Sequence, residues 1–251
     1  MAIKGVIFDL GHTLMHLQAT WPEVLEHSVL DLAAFVDRRR LGPSGEVFAR
    51  ALVERRREGL HQAQETGHEV TAEASMRWTF AHFGLAQPDE TLLRAAIDAF
   101  FAFEESCWQA DPQARPLLRT LADRGLRLGL FSNATDDRFI QRLVSRFGFQ
   151  PWLEPVLSSA GTGIRKPEPA AFAPFLAAWG LEPEAVAVVG DTLEADILGA
   201  NRTGMHSVWL RSRPDARPEG RAETVGTDPE QLRPEVTIER LAELPDRLAE
   251  L

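Results

Sequence analysis

The sequence predicts an α/β fold, a doubly wound parallel sheet interrupted near its start by an all-helical block. Three short apolar runs, at 5–8, 126–131 and 185–190, each end on polar residues and a turn, as buried strands do. The later runs alternate with helix-patterned stretches, and strands alternating with helices imply parallel pairing. Residues 17–111 hold no such run and place apolar residues at three- and four-residue spacing instead.

Taken in order, Gly5-Val6-Ile7-Phe8 reads as a buried strand that stops at Asp9-Leu10-Gly11-His12-Thr13-Leu14. Helices are expected over 21–40, 44–65, 71–83 and 89–107, punctuated by Pro43, Gly84 and Pro88. Thr71 and Asp89 stand where helix caps belong. The α/β alternation resumes at Pro116. A helix to Arg124 is stopped by Gly125, and the strand 126–131 runs into Ser132-Asn133. A helix over 136–147, a short strand at 156–158 and the basic turn Gly163-Ile164-Arg165-Lys166-Pro167-Glu168-Pro169 come next. A helix over 168–179 ends at Gly180. The strand 185–190 then delivers Asp191-Thr192-Leu193-Glu194-Ala195-Asp196 ahead of a helix over 195–203. A strand at 206–210, a polar loop over 211–233, a strand at 236–238 and a helix over 239–249 complete the pattern.

Composition narrows the function. At 251 residues, 44% hydrophobic and 25% charged, the chain is an ordinary globular protein, long enough for one large domain or a domain with an insert. A net charge of −10 argues against nucleic acid and anionic membrane as partners, since both require a basic surface. The single cysteine, Cys107, forms no internal disulfide and fits a reducing cytoplasm. No stretch of roughly 18 apolar residues suggests a membrane span. Of the 27 basic residues, only Lys4 and Lys166 are lysines. In a chain that otherwise uses arginine, a lysine in the turn Arg165-Lys166-Pro167 suggests selection for a compact point charge.

In open parallel sheets, ligands bind at the carboxyl ends of the strands. Asp9 at such an end is a candidate nucleophile toward phosphorus. Taken alone it is equally a loop or capping aspartate; Asp191 and Asp196 stand where caps for the next helix belong, but two acids beside a strand-end glycine favour a metal. The four signals in order are Asp9, Ser132-Asn133, Lys166, and Asp191 with Asp196. Together they resemble the haloacid dehalogenase superfamily over residues 1–16 and 112–210. The resemblance implies a Rossmann-like core formed by 1–16 and 112–251, and a helical cap formed by 17–111. It implies Asp9 as nucleophile, Ser132 and Asn133 as holders of the phosphoryl oxygens, and Lys166 as the group that offsets negative charge. It also implies Mg2+ held by Asp9, the Gly11 carbonyl, Asp191 and Asp196. Several acids in one small volume require such a hard cation.

The chain departs from the family at Gly11. The family's phosphatases usually carry a second aspartate there, which protonates the leaving group and activates water; such a group is worth a factor of about 10² to 10⁴. His12 stands where the family usually has glycine and is a candidate substitute, since imidazole titrates near neutrality. His16 and Trp21 are further candidates for substrate contact. The resemblance thus implies a Mg2+-dependent phosphatase of a small phosphorylated metabolite. The alternatives are a 2-haloacid dehalogenase, in which Asp9 attacks carbon without a metal, and a regulator that binds a phosphorylated ligand or a partner with impaired catalysis.

Overall fold

A computed structural model describes residues 2–211 and 228–251. It divides into two compact units, Met1–His16 with Gln109–Leu251, and Leu17–Trp108. Residues 109–111, grouped by the sequence with the helical block, belong to the first of these units.

Strand β1 (Gly5–Phe8) is buried along its whole length, and β2 (Met15–Leu17) leads into the helical unit. That unit consists of α1 (Trp21–Arg39), α2 (Gly45–Thr66), α3 (Ala72–His82) and α4 (Glu90–Cys107). Thr20, Ser44, Thr71 and Asp89 each accept a hydrogen bond from a backbone N–H in the first turn that follows, which satisfies donors with no intrahelical partner. Thr20 and Glu23 complete a reciprocal capping box. The apolar stripes meet in a core that includes Phe48 and Phe80, packed edge to face at 5.1 Å.

The chain returns through β3 (Trp108–Ala110), which pairs with β2. Met15-His16-Leu17 and Trp108-Gln109-Ala110 carry no β-branched residue and adjoin helix-patterned stretches, so the sequence shows no sign of this pair. Next come α5 (Ala114–Asp123), β4 (Arg127–Ser132), α6 (Asp137–Arg146), β5 (Val156–Ser158) and the single turn α7 (Ser159–Thr162). The fold continues with α8 (Ala173–Trp179), β6 (Val186–Gly190), α9 (Leu198–Thr203), β7 (His206–Leu210), β8 (Val236–Ile238) and α10 (Leu244–Arg247).

Six strands form one parallel sheet in the order β5-β4-β1-β6-β7-β8. The fold is therefore the doubly wound α/β class expected from the sequence. β1 lies at the centre, between β4 and β6. The chain winds outward to β5 on one side and from β6 to β8 on the other, so the winding reverses between β1 and β6. Such a reversal opens a crevice beyond the strand ends.

Two glycines let α8 lie close on the sheet. A Cβ at Gly5 would come within 2.8 Å of the Trp179 ring, and one at Gly129 within 2.5 Å of Phe175. Phe131, Phe172, Phe175 and Trp179 fill the space these glycines leave open.

Prolines shorten two expected helices. The stretch 168–179 divides into a 3₁₀ turn, Pro169–Ala171, and α8, with Pro174 in the first turn of α8. Near the C-terminus, the 3₁₀ turn Leu241–Glu243 precedes α10, whose first turn holds Pro245. Proline lacks the N–H that a continuing helix needs. The expected loop at 211–233 falls mostly outside the described residues, and its described end forms the 3₁₀ turn Pro229–Leu232.

Candidate active site

Asp9 follows β1 directly, and its N–H donates to the carbonyl of Val189 on β6 at 2.9 Å. The bond ties the end of β1 to the end of β6, the two strands that flank the crevice. A tight turn comes next, in which the N–H groups of Leu14 and Met15 both reach the Leu10 carbonyl. The left-handed residue of this turn is His12, at φ 61°, and not Gly11. Glycine adopts that conformation without steric cost and histidine does not. The structure thus gives the reason a glycine suits position 12, and shows that the backbone does not require one at position 11.

Lys166 is the hub of the site. Its side chain is 2% exposed, and Nζ lies 2.7 Å from Asp9 Oδ1 and 2.7 Å from Asp196 Oδ1. A third contact is donated to the Phe131 carbonyl at 2.8 Å. The ammonium hydrogen-bonds to Asp9 Oδ1 and the Phe131 carbonyl, and meets Asp196 Oδ1 as an ion pair. Burial alone would pull this lysine's pKa down, but the charges of Asp196 and Asp9 outweigh it and hold the pKa above the usual lysine value.

Asp196 sits in the π-helical turn Leu193–Ile197, 1% exposed. Oδ1 faces Lys166, and Oδ2 accepts from the Thr192 N–H at 3.0 Å. Burial pushes its carboxyl up from 3.8 to about 6, a rise that Lys166 opposes and the charge of Asp9 reinforces. Gly190 makes room for it: a Cβ there would overlap Asp196 Cγ and Oδ2. Asp191 follows β6 directly, with the Thr192 hydroxyl 3.4 Å from its Oδ1. Each of Asp9, Asp191 and Asp196 offers a carboxylate oxygen within 4.8 Å of the others.

Ser132 ends β4, beside β1, and is 8% exposed. Asn133, expected at the phosphoryl oxygens, spends its side chain elsewhere. Nδ2 donates to the Lys166 carbonyl and Oδ1 accepts the Lys166 N–H, both at 2.9 Å. His16, on β2, lies 2.8 Å from Asp111, which follows β3. Trp21 packs edge-on against Trp108 at 6.4 Å. Sequence reading missed three participants: the Phe131 carbonyl, the Thr192 N–H and Trp209. The Trp209 indole N–H donates to the Asp191 carbonyl at 2.9 Å, a contact 18 positions apart that no local pattern signals.

The family model for haloacid dehalogenase-like hydrolases matches residues 3–204. The chain belongs to that family. It is 32% identical over 126 residues to a glyceraldehyde 3-phosphate phosphatase of Methanopyrus kandleri, covering 50% of this chain and 54% of that one. It is 36% identical over 117 residues to a phosphoserine phosphatase of Thermus thermophilus, covering 47% and 46%. The matched chain thus spans about half the length of these curated relatives. Among solved structures, a 2-haloacid dehalogenase from Pseudomonas syringae pv. Tomato superposes with a TM-score of 0.70 at 27% identity, covering 99% of both chains. As a member of this family the protein is a hydrolase. No helix among its described residues is long and apolar enough to cross a membrane.

Proposed function

We propose that this hydrolase is a Mg2+-dependent phosphatase of a small phosphorylated metabolite, with Asp9 as the nucleophile. The supporting observation is the charge of the site. Three carboxylates stand within 4.8 Å of one another, against the one ammonium of Lys166. Such a set repels a phosphate ester unless a cation offsets it. The donors are all oxygen and suit a hard divalent ion. Asp9, Asp191 and the Gly11 carbonyl would hold it, with Asp196 completing the anionic set. When bound, Mg2+ neutralises charge on the phosphoryl oxygens.

The chain's own residues do the rest. Lys166 fixes one oxygen of the Asp9 carboxylate and offsets its charge. Ser132 and the backbone N–H of Asn133 orient the phosphoryl group for in-line attack. An Asp9 oxygen forms a bond to phosphorus as the ester P–O bond breaks, giving an aspartyl phosphate and an alkoxide that must be protonated. Water then attacks phosphorus, releasing inorganic phosphate and regenerating Asp9. With Gly11 in place of an acid, the favoured substrates are those whose leaving groups need little protonation, such as sugar 1-phosphates or acyl-type phosphates. The relatives named as phosphatases of glyceraldehyde 3-phosphate and phosphoserine support a substrate of that size. By the same resemblance, the helical unit Leu17–Trp108 serves as the cap that sets selectivity, and the lone Cys107 fits a cytoplasmic location.

The likeness to the Pseudomonas syringae dehalogenase favours a second reading, attack of Asp9 on the carbon of a 2-haloacid. Asp191 and Asp196 count against it, because they would repel the haloacid's carboxylate. The test is phosphate release from a metabolite panel, with Mg2+ and with EDTA, beside chloride release from chloroacetate. The expected result is phosphate release abolished by EDTA. Chloride release that survives EDTA, with no phosphate released, overturns the proposal in favour of the dehalogenase.

A further inference from the structure

Trp209 lies on β7, paired in register with Gly190 on β6. Its indole N–H donates to the carbonyl of Asp191 at 2.9 Å. The N–H of the same peptide unit, that of Thr192, donates to Asp196 Oδ2 at 3.0 Å. One peptide group is thus gripped at both of its polar atoms, by an indole on one side and a buried carboxylate on the other. From Asp196 the chain of contacts runs on through Lys166 to Asp9 at 2.7 Å per step.

We propose that Trp209 is the positioning residue for the Asp191 carboxylate, and through it for the affinity of the site for a divalent cation. The inference rests on the Mg2+ reading above. Asp191 sits in a two-residue link between β6 and the π-helical turn, so the direction of its side chain follows the orientation of this short stretch of backbone. The indole bond is a strong direct restraint on this link, with near-ideal length. The bond also polarises the peptide, which strengthens the N–H that Thr192 offers to Asp196. Groups that orient a metal's ligands in this way are commonly worth 10- to 100-fold in metal affinity.

The test is Trp209→Phe, which keeps an aromatic ring and removes the donor. The control is Trp179→Phe, because the Trp179 indole also donates to a backbone carbonyl, that of Glu154 at 3.0 Å, in the core behind the sheet. Mg2+ binding to each protein is measured by titration calorimetry without substrate, together with the Mg2+ dependence of turnover and thermal stability. The expected result is Mg2+ binding weakened about tenfold or more in Trp209→Phe, with the Mg2+ concentration needed for half-maximal turnover raised by a similar factor. Trp179→Phe should lose stability and keep wild-type Mg2+ affinity. Unchanged affinity in Trp209→Phe, or equal weakening in both variants, overturns the positioning role. Wild-type protein that binds no Mg2+ overturns it together with the Mg2+ reading. If wild type binds Mg2+, Trp209→Phe binds it weakly and no phosphate ester is hydrolysed, the positioning role stands and the phosphatase assignment falls.

Discussion

The Asn133 side chain is hydrogen-bonded to both backbone polar groups of Lys166, donating to its carbonyl and accepting from its N–H at 2.9 Å each. An amide is suited to this, having a donor and an acceptor side by side. The pair locks the turn that carries Lys166 onto the end of β4. The ammonium is then aimed by the backbone as well as by its own three contacts.

Asn133→Asp tests that clamp. The carboxylate still accepts the Lys166 N–H but faces the Lys166 carbonyl with no proton to give. The variant should lose about 1–3 kcal/mol of stability, the cost of one unsatisfied buried partner. Turnover should fall with little change in KM. Denaturant unfolding and steady-state kinetics measure both. Wild-type values would remove Asn133 from the positioning of Lys166.

Gly190→Ala tests the space around Asp196. The added methyl collides with Asp196 Cγ and Oδ2, and β6 is paired on both sides and cannot retreat. Overpacking of this kind costs about 1–3 kcal/mol. Displacing Asp196 also loosens Lys166, so activity should drop further than stability alone explains. A melt and a kinetic comparison decide it, and an active, stable variant would show that the turn at 193–197 yields easily.

A third prediction concerns pH. In the metal-free protein the Asp196 carboxyl is raised from 3.8 to about 6, so the folded state holds its proton more tightly than the unfolded chain. Stability from this group therefore falls as pH rises between those two values and levels off above them. A bound cation takes over the proton's role. Mg2+ should then raise the melting temperature more at about pH 8 than at about pH 5, following the mass-action stabilisation of a ligand that binds only the folded state. Thermal scans at both pH values, with Mg2+ and with EDTA, provide the check. An equal gain at both would contradict the shift at Asp196.

The fourth concerns the turn after Asp9. His12→Gly removes a side chain from the left-handed region and should stabilise the protein by about 1 kcal/mol. Gly11→Asp meets no left-handed backbone at position 11. It should speed hydrolysis of alkyl phosphates by about tenfold, or 1.4 kcal/mol off the barrier, and leave p-nitrophenyl phosphate almost unchanged. A leaving-group series on wild type, both single variants and the double variant separates the effects. If His12→Gly instead makes wild type newly sensitive to leaving-group pKa, His12 is the acid.

The sequence determined the fold class and the order of its parts, because these are written in local signals. Apolar runs of four to six residues ending in Asp9, Ser132 and Asp191 mark strand ends whatever the rest of the chain does. A scarce lysine in a proline-bounded turn marks position 166. Only the tertiary structure decided how these groups are held. Asn133 lies 33 positions from Lys166 and Trp209 lies 18 from Asp191. Neither contact exists until the chain folds back on itself, with β7 beside β6 and the turn that carries Lys166 against the end of β4. Register sets which atoms of neighbouring strands and loops come within 3 Å, and no periodicity along the chain encodes that distance. The same holds for Gly190, whose missing Cβ matters only once Asp196 folds back over it. Position 12 is the local counterpart: the residue is plain in the sequence, but its left-handed conformation comes from a turn closed by the carbonyls of Leu10 and Met15.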